Sequence, residues 1–319
     1  MLKIERLSDP RLAEEVAELF NLIYPHKPIQ SDYVRWRYLD NPFRSRSFVA
    51  LLDGKVVGSY AGSVFPMKIN GKTESAAFLM DAMVHPNHQN RGIILGLYGK
   101  ILESFGTEGV HKFFAFANGP GSDLFCKGFG WKHFESRQLF VAETRQVLAK
   151  TAELSAGTAA RIGGSWTTEH ARLAETVILD TGWDAYVERT EALLDWRSRR
   201  TFGRDYEKLF CRGGAPEEAQ AFCVFKSFLE PGTNQRVGDV VELFGQNRAI
   251  AEGTLHRVAE QFASAGVERM ATWGFAQIPA VELGNLGFSP VPKWSNIIIK
   301  GWNPVPNRFL LTLFDTEMF

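Results

Sequence analysis

Phe78-Leu-Met-Asp-Ala-Met-Val-His-Pro-Asn-His-Gln-Asn-Arg-Gly-Ile-Ile-Leu-Gly-Leu-Tyr-Gly-Lys-Ile-Leu-Glu103 passes from an apolar run to a helical pattern through a polar loop. The run Phe78 to Val84 is broken only by Asp81, and Pro86 ends it. Ile93, Ile94, Leu97, Tyr98, Ile101 and Leu102 then recur at helical spacing. Gln89, Asn90, Arg91 and Gly92 lie just before the first helical turn, where backbone N–H groups lack partners and the helix dipole favours an anion. A pyrophosphate fits such a place. The loop lacks both the Gly-x-x-x-x-Gly-Lys-Ser/Thr and the Gly-x-Gly-x-x-Gly signatures, so neither a nucleoside triphosphate nor a dinucleotide is indicated.

Working outward, Lys112 to Ala117 (Lys-Phe-Phe-Ala-Phe-Ala) is a second strand. It is followed by Asn118-Gly119-Pro120-Gly121-Ser122 and a short helix that ends at Lys127-Gly128-Phe129-Gly130-Trp131. Strand, loop and helix, repeated once, imply adjacent parallel strands joined by a crossover helix. Here the chain resembles the GNAT superfamily of acyl-CoA-dependent N-acetyltransferases. That family's Val-x-Pro-x-x-(Arg/Gln)-x-x-Gly-x-(Gly/Ala) loop corresponds to Val84 through Ile94, and its later Asn…Gly-Phe segment to Asn118…Gly130-Trp131. Ile94 departs from the family's Gly or Ala.

The resemblance implies a mixed α/β sheet and direct acyl transfer from acetyl-CoA to an amine, with no metal. It implies main-chain contacts to the acyl arm from Met83 and Val84. Phosphate contacts fall to Gln89, Asn90, Arg91, Gly92 and Ile93, and Asn118 joins the cofactor-binding set. The family's general acid is a Tyr on the helix after Asn118, but this helix reads Asp123-Leu124-Phe125-Cys126-Lys127. Cys126, counted back from Gly130, is a candidate proton donor, and its rival role is that of a small buried hydrophobe. Asp81 is a candidate base, and its rival role is a strand carboxylate paired with a nearby Arg.

The motif recurs. At an offset of 157, Gln89-Asn90-Arg91-Gly92-Ile93 faces Gln246-Asn247-Arg248-Ala249-Ile250, and Gly130-Trp131 faces Gly287-Phe288. At an offset of 160, Trp36-Arg37 faces Trp196-Arg197, read as a core tryptophan with a surface arginine. The expected organisation is two tandem GNAT-like acyl-CoA N-acyltransferase domains, residues 1–145 and 161–319, joined by a helical or loose connector. The second lacks the Pro and carries Ala249 against Gly92, so the acyl-CoA site is expected in the first copy. At the C-terminus, a strand from Arg308 to Phe314 is expected to bring Asp315, or the terminal carboxylate, to the acceptor pocket as a further catalytic group.

The 319 residues and 45% hydrophobic content suffice for two cores. With 36 basic and 36 acidic residues the net charge is zero, which speaks against nucleic acid and anionic membranes as partners. Three cysteines are too few and too scattered for a disulfide framework or a zinc site. The N-terminus is charged and no apolar run reaches membrane-spanning length, so a cytoplasmic protein with a small-molecule amine acceptor is expected. The alternatives are a Fem-type aminoacyl transferase, which needs a basic groove for tRNA, and a catalytically silent tandem protein that binds acyl-CoA or a partner.

Overall fold

Strand-forming runs and amphipathic helices alternate along the chain, and in the computed structural model their contacts divide it into two units. The described residues are 1–26, 28–154, 159–199, 206–212, 219–230 and 232–316. The first unit comprises Met1–Met67, Thr73–Glu135 and Asn296–Val305, and the second comprises Lys68–Lys72, Ser136–Ser295 and Pro306–Phe319. This differs from the linear division expected at 145 and 161. The strand after each copy's last helix changes unit partway along.

The early elements are β1 (Leu2–Arg6), α1 (Pro10–Ile23), α2 (Ser31–Val34), β2 (Ser45–Leu52), β3 (Lys55–Ile69) and β4 (Lys72–Val84). They are followed by α3 (Ile93–Gly106), β5 (Lys112–Ala117), α4 (Gly119–Gly128) and β6 (Lys132–Glu143). Asp9 starts α1 by accepting from the Arg11 N–H at 2.9 Å, with Pro10 in the first turn, where its missing N–H costs nothing. A π-helical turn, Arg35–Leu39, continues α2 and carries Trp36, Arg37 and Tyr38 inward.

Later come α5 (Thr144–Thr151), β7 (Ala159–Ile162), α6 (Thr168–Asp180), β8 (Ala185–Val187), α7 (Glu191–Arg197), β9 (Glu207–Arg212), β10 (Ala219–Leu229) and β11 (Arg236–Gly245). The chain continues with α8 (Arg248–Ser264), β12 (Arg269–Thr272), a 3₁₀ stretch Ala280–Leu286, β13 (Ser289–Lys300), β14 (Phe309–Leu310) and α9 (Leu313–Thr316). The expected connector is thus α5 as far as Thr151. Residues 155–158 lie outside the described set.

In the first unit the strands run β1-β2-β3-β4-β5 and then the end of β13, where Asn296↔Ala117 through Lys300↔Phe113 pair antiparallel. Leu97, Ile101 and Phe105 of α3 pack on Ala77 and Leu79 of β4, Phe113 of β5 and Ile298 of β13. The second unit repeats the order: the end of β6 pairs antiparallel with β12 from Phe140 to Glu143, and β11, β10, β9 and β7 follow. There Leu255, Val258 and Phe262 of α8 cover Leu243 and Met270. Each sheet is therefore completed by the strand that leaves the other copy's last helix.

The end of β13 is held to its unit by two hydrogen bonds. Lys300 Nζ donates to the Phe129 carbonyl at 2.7 Å, and Trp302 Nε1 donates to the Phe113 carbonyl at 2.7 Å. Between them Gly301 has φ +78, and a Cβ built there would stand 1.8 Å from the His111 carbonyl oxygen. Only glycine tolerates both conditions. Gly301→Ala should therefore destabilise the protein by about 2 kcal/mol or more, seen as a lowered denaturant midpoint. An unchanged midpoint would show that this strand end is not held as described.

Candidate active site

The site begins where two parallel strands stop pairing. β4 and β5 share Ala76↔Lys112, Ala77↔Phe113 and Phe78↔Phe114, after which β4 continues to Val84 and β5 to Ala117. Backbone groups on the facing edges beyond Phe78 are left for another partner, and an extended arm with amide groups is the kind of ligand that satisfies them. Met83 and Val84 lie on this unpaired stretch. Met83 is buried and Val84 partly so.

Eight residues, His85 to Gly92, connect β4 to α3. Pro86–His88 make one 3₁₀ turn, with the His85 ring nitrogen accepting from the Asn87 N–H at 3.2 Å. Asn90 and Gly92 take left-handed backbone angles, φ +61 and φ +73. Gly92 is the N-cap of α3 and has no side chain to offer, so no side chain caps the first-turn N–H groups of Ile93, Ile94 and Leu95. Gln89, Asn90 and Arg91 are exposed beside them, and Arg91 has no ion-pair partner among the described residues. The loop thus offers free donors and a free cation to an anion. Asn118 caps α4, its side-chain oxygen accepting from the Gly121 N–H at 2.8 Å.

Asp81 sits on the unpaired part of β4 with φ +54, a left-handed conformation that costs an aspartate on the order of 1 kcal/mol. Its Oδ2 takes a short hydrogen bond from the Tyr38 hydroxyl and an ion pair from Arg37 Nε at 3.0 Å. Oδ1 has no partner among the described residues, and the side chain is 20% exposed. Arg37 is 3% exposed and also donates to the Tyr33 hydroxyl at 2.8 Å. This corrects the reading of Arg37 as a surface residue. Burial, and then the Asp81 charge, push the Tyr38 phenol well above its usual range, so it remains a donor at neutral pH. Tyr24 is shifted upward by the same two causes. Nothing in the sequence marked Tyr38. The repeated Trp-Arg pair one residue earlier was the available signal.

Cys126 is half-buried on α4 and packs against the core cluster that contains Phe125 and Trp131, the environment of a small hydrophobe. Asp315 is not on a strand near an acceptor. The expected strand Arg308–Phe314 is limited to Phe309–Leu310, and Asp315 lies buried on α9. It accepts from Arg189 Nη2 at 2.8 Å and from the Thr312 N–H at 2.8 Å. Phe309, Leu311 and Leu313 are buried, but so are Thr312 and Thr316, and the chain turns helical around the buried arginine. The terminal carboxylate lies outside the described residues.

The second copy holds the matching place in closed form. β11 and β12 share Val237↔Arg269, Gly238↔Met270 and Asp239↔Ala271, and β11 then runs on to Gly245. By this pairing the strand offset is 161, not 157, so Val84 corresponds to Gly245 and Asp81 to Glu242. Only Gln246-Asn247 connect β11 to α8. The cap opposite Gly92 is therefore Asn247 rather than Ala249, and its side chain accepts from the Ile250 N–H at 3.0 Å. Arg248 pairs with Glu252 at 2.7 Å and with Glu282. The Gln277 amide donates to the Gly245 carbonyl in the wedge between the strands. At the offset of 157 that holds beyond the loop, its counterpart is Pro120, which has no donor. Glu242 is wholly buried, 2.7 Å from Arg189 Nε, with Thr312 and Asp315 completing the group.

Residues 6–134 match the sequence profile of the acetyltransferase (GNAT) domain. No curated protein sequence matches the chain significantly. Among solved structures, the chain resembles a GCN5-related N-acetyltransferase from Anabaena variabilis at 13% identity, covering 94% of this chain and 72% of that one, with a TM-score of 0.67. It also resembles a tandem GNAT protein from the clavulanic acid biosynthesis pathway at 16% identity, covering 95% and 99%, with a TM-score of 0.61. A third likeness is to Saccharomyces cerevisiae N-myristoyltransferase with bound myristoyl-CoA, at 10% identity, 94% and 82% coverage, and a TM-score of 0.66. At these identities the structural likenesses establish the fold. Among the described residues no helix is long and apolar enough to cross a membrane.

The buried group in the second copy makes stability depend on pH. Burial pushes Glu242 up to about 7 from 4.5, Arg189 drawing it only part of the way back and Asp315 raising it further. Because the folded protein holds this proton more tightly than the unfolded chain, the stabilisation is complete below pH 4.5 and is lost as pH rises through 7. Relative to Glu242→Gln, the native protein should lose up to about 3 kcal/mol across that window, measured from urea midpoints at several pH values. Parallel profiles would show that Glu242 does not titrate there.

Proposed function

We propose, from the match of residues 6–134 to the acetyltransferase (GNAT) domain profile, that the protein transfers an acetyl group from acetyl-CoA to an amine on a small molecule, such as an amino sugar. The chemistry belongs to the first copy. One observation carries the reading: the unpaired end of β4 stands beside an uncapped helix start and holds a carboxylate with one oxygen free.

The backbone of Met83 and Val84 would align the acyl arm along the open edge, and an N–H there would polarise the thioester carbonyl. The N–H groups of Ile93, Ile94 and Leu95, with Arg91, would hold the pyrophosphate. Asp81 Oδ1 would accept a proton from the incoming ammonium, so that the neutral amine attacks the carbonyl, the C–S bond breaks, and the departing thiolate takes the proton that the acylated nitrogen sheds. Arg37 and Tyr38 act as positioning residues by holding Oδ2. No group on α4 matches the family's tyrosine, which costs rate rather than forbidding transfer, because a thiolate is already a tolerable leaving group.

Asp81→Asn should lower kcat by about 10²–10⁴-fold, read as free thiol released from acetyl-CoA with a panel of amines. Arg91→Ala should weaken acetyl-CoA binding by about one to two decades, because a charged hydrogen bond to phosphate contributes roughly 1.5–3 kcal/mol. Arg248→Ala should leave it unchanged. Tight binding of acetyl-CoA without thiol release from any amine would favour a silent acyl-CoA-binding protein, and equal losses in the two arginine variants would contradict the asymmetry between the copies.

A further inference from the structure

Tyr38, whose hydroxyl holds Asp81, also lines a cavity of about 440 Å³ where β1 ends and β2 begins. Arg6, Arg44 and Arg46 line it too, and no carboxylate does. Glu108, outside the lining, pairs with Arg46 and, at 3.5 Å, with Arg44. One negative charge therefore answers three positive ones. The Arg6 guanidinium has no partner among the described residues.

Guanidinium forks match carboxylate and phosphate oxygens in pairs, and in a recess they meet less competition from water than on an open surface.

We propose that this cavity binds the oxyanion group, carboxylate or phosphate, of a small molecule, with Arg6 and Arg44 as charge partners. This assignment is independent of the acetyl-transfer reading. The shared lining residue, Tyr38, bears on where the oxyanion comes from: it is either carried by the amine acceptor itself or belongs to a separate small anion acting beside the reaction.

Calorimetric titration of the full chain with inorganic phosphate and with succinate tests the site. Arg6→Ala should lose about tenfold or more in affinity, and Arg6→Lys should recover part of it. Arg91→Ala should keep this binding, which separates it from the loop before α3. No detectable binding of either anion, equal binding in Arg6→Ala and the native protein, or binding lost only in Arg91→Ala would each overturn the proposal. Kinetics then identify the source. If the acceptor carries the oxyanion, phosphate competes with it, and Arg6→Ala raises KM for an anionic amine but not for a neutral one. If the anion is separate, phosphate alters the rate without competing.

Discussion

Two neighbouring parallel strands that share three residue pairs and then part create the constraint on which the rest depends. Backbone groups beyond the last pair cannot stay buried and unsatisfied. Either the protein fills the wedge itself or a ligand does. In the second copy the Gln277 amide reaches the Gly245 carbonyl, the loop is cut to two residues, and Asn247 caps its own helix. In the first copy Pro120 stands at the position of that glutamine, the loop keeps eight residues, and a glycine caps the helix. The same topology is self-satisfied in one copy and open in the other.

The carboxylate three residues past the last pair follows the same division. Asp81 and Glu242 occupy corresponding places, and each is paired with a buried arginine. Glu242 is enclosed with a second carboxylate, so burial favours its protonated form, and the charge it retains is spent on Arg189. Asp81 keeps one oxygen free and a fifth of its side chain in solvent. Buried ion clusters confer little net stability because desolvation offsets their attraction. In the second copy, Thr312 and Asp315 of the C-terminal segment close over this group.

The sequence made visible what is local. Helical spacing located α3, the apolar runs located β4 and β5, and the Gln-Asn-Arg repeat located both loops. Hidden were the features decided by distant partners. Nothing in the alternation of Lys132 to Val141 or Ser289 to Lys300 states which sheet edge each strand joins, because edge choice depends on contacts far apart in sequence. A gapless offset of 157 placed Ala249 opposite Gly92, and only strand pairing showed that the first copy has four more residues ahead of the repeat. Arg37 read as exposed because an arginine usually is. Its burial follows from Asp81, which lies more than forty residues away. Asp315 was misplaced for the converse reason, since an apolar alternation fits a strand as well as a buried segment that turns helical around an ion.

Strand exchange gives the closed copy's chain a task in the open one. A strand whose two edges were both free would be poorly fixed, and a cleft that depends on its position would be equally loose. β5 is bonded to β4 only over Lys112 to Phe114, but along its other edge the end of β13 pairs with every residue from Phe113 to Ala117. Lys300 and Trp302 then fasten that strand to Phe129 and Phe113, and Gly301 lets it approach the His111 carbonyl closely. The edge facing the cleft remains unpaired while the strand itself is held from behind. A site that must present bare backbone to a ligand needs that asymmetry, and here the residues that supply it lie near the far end of the chain.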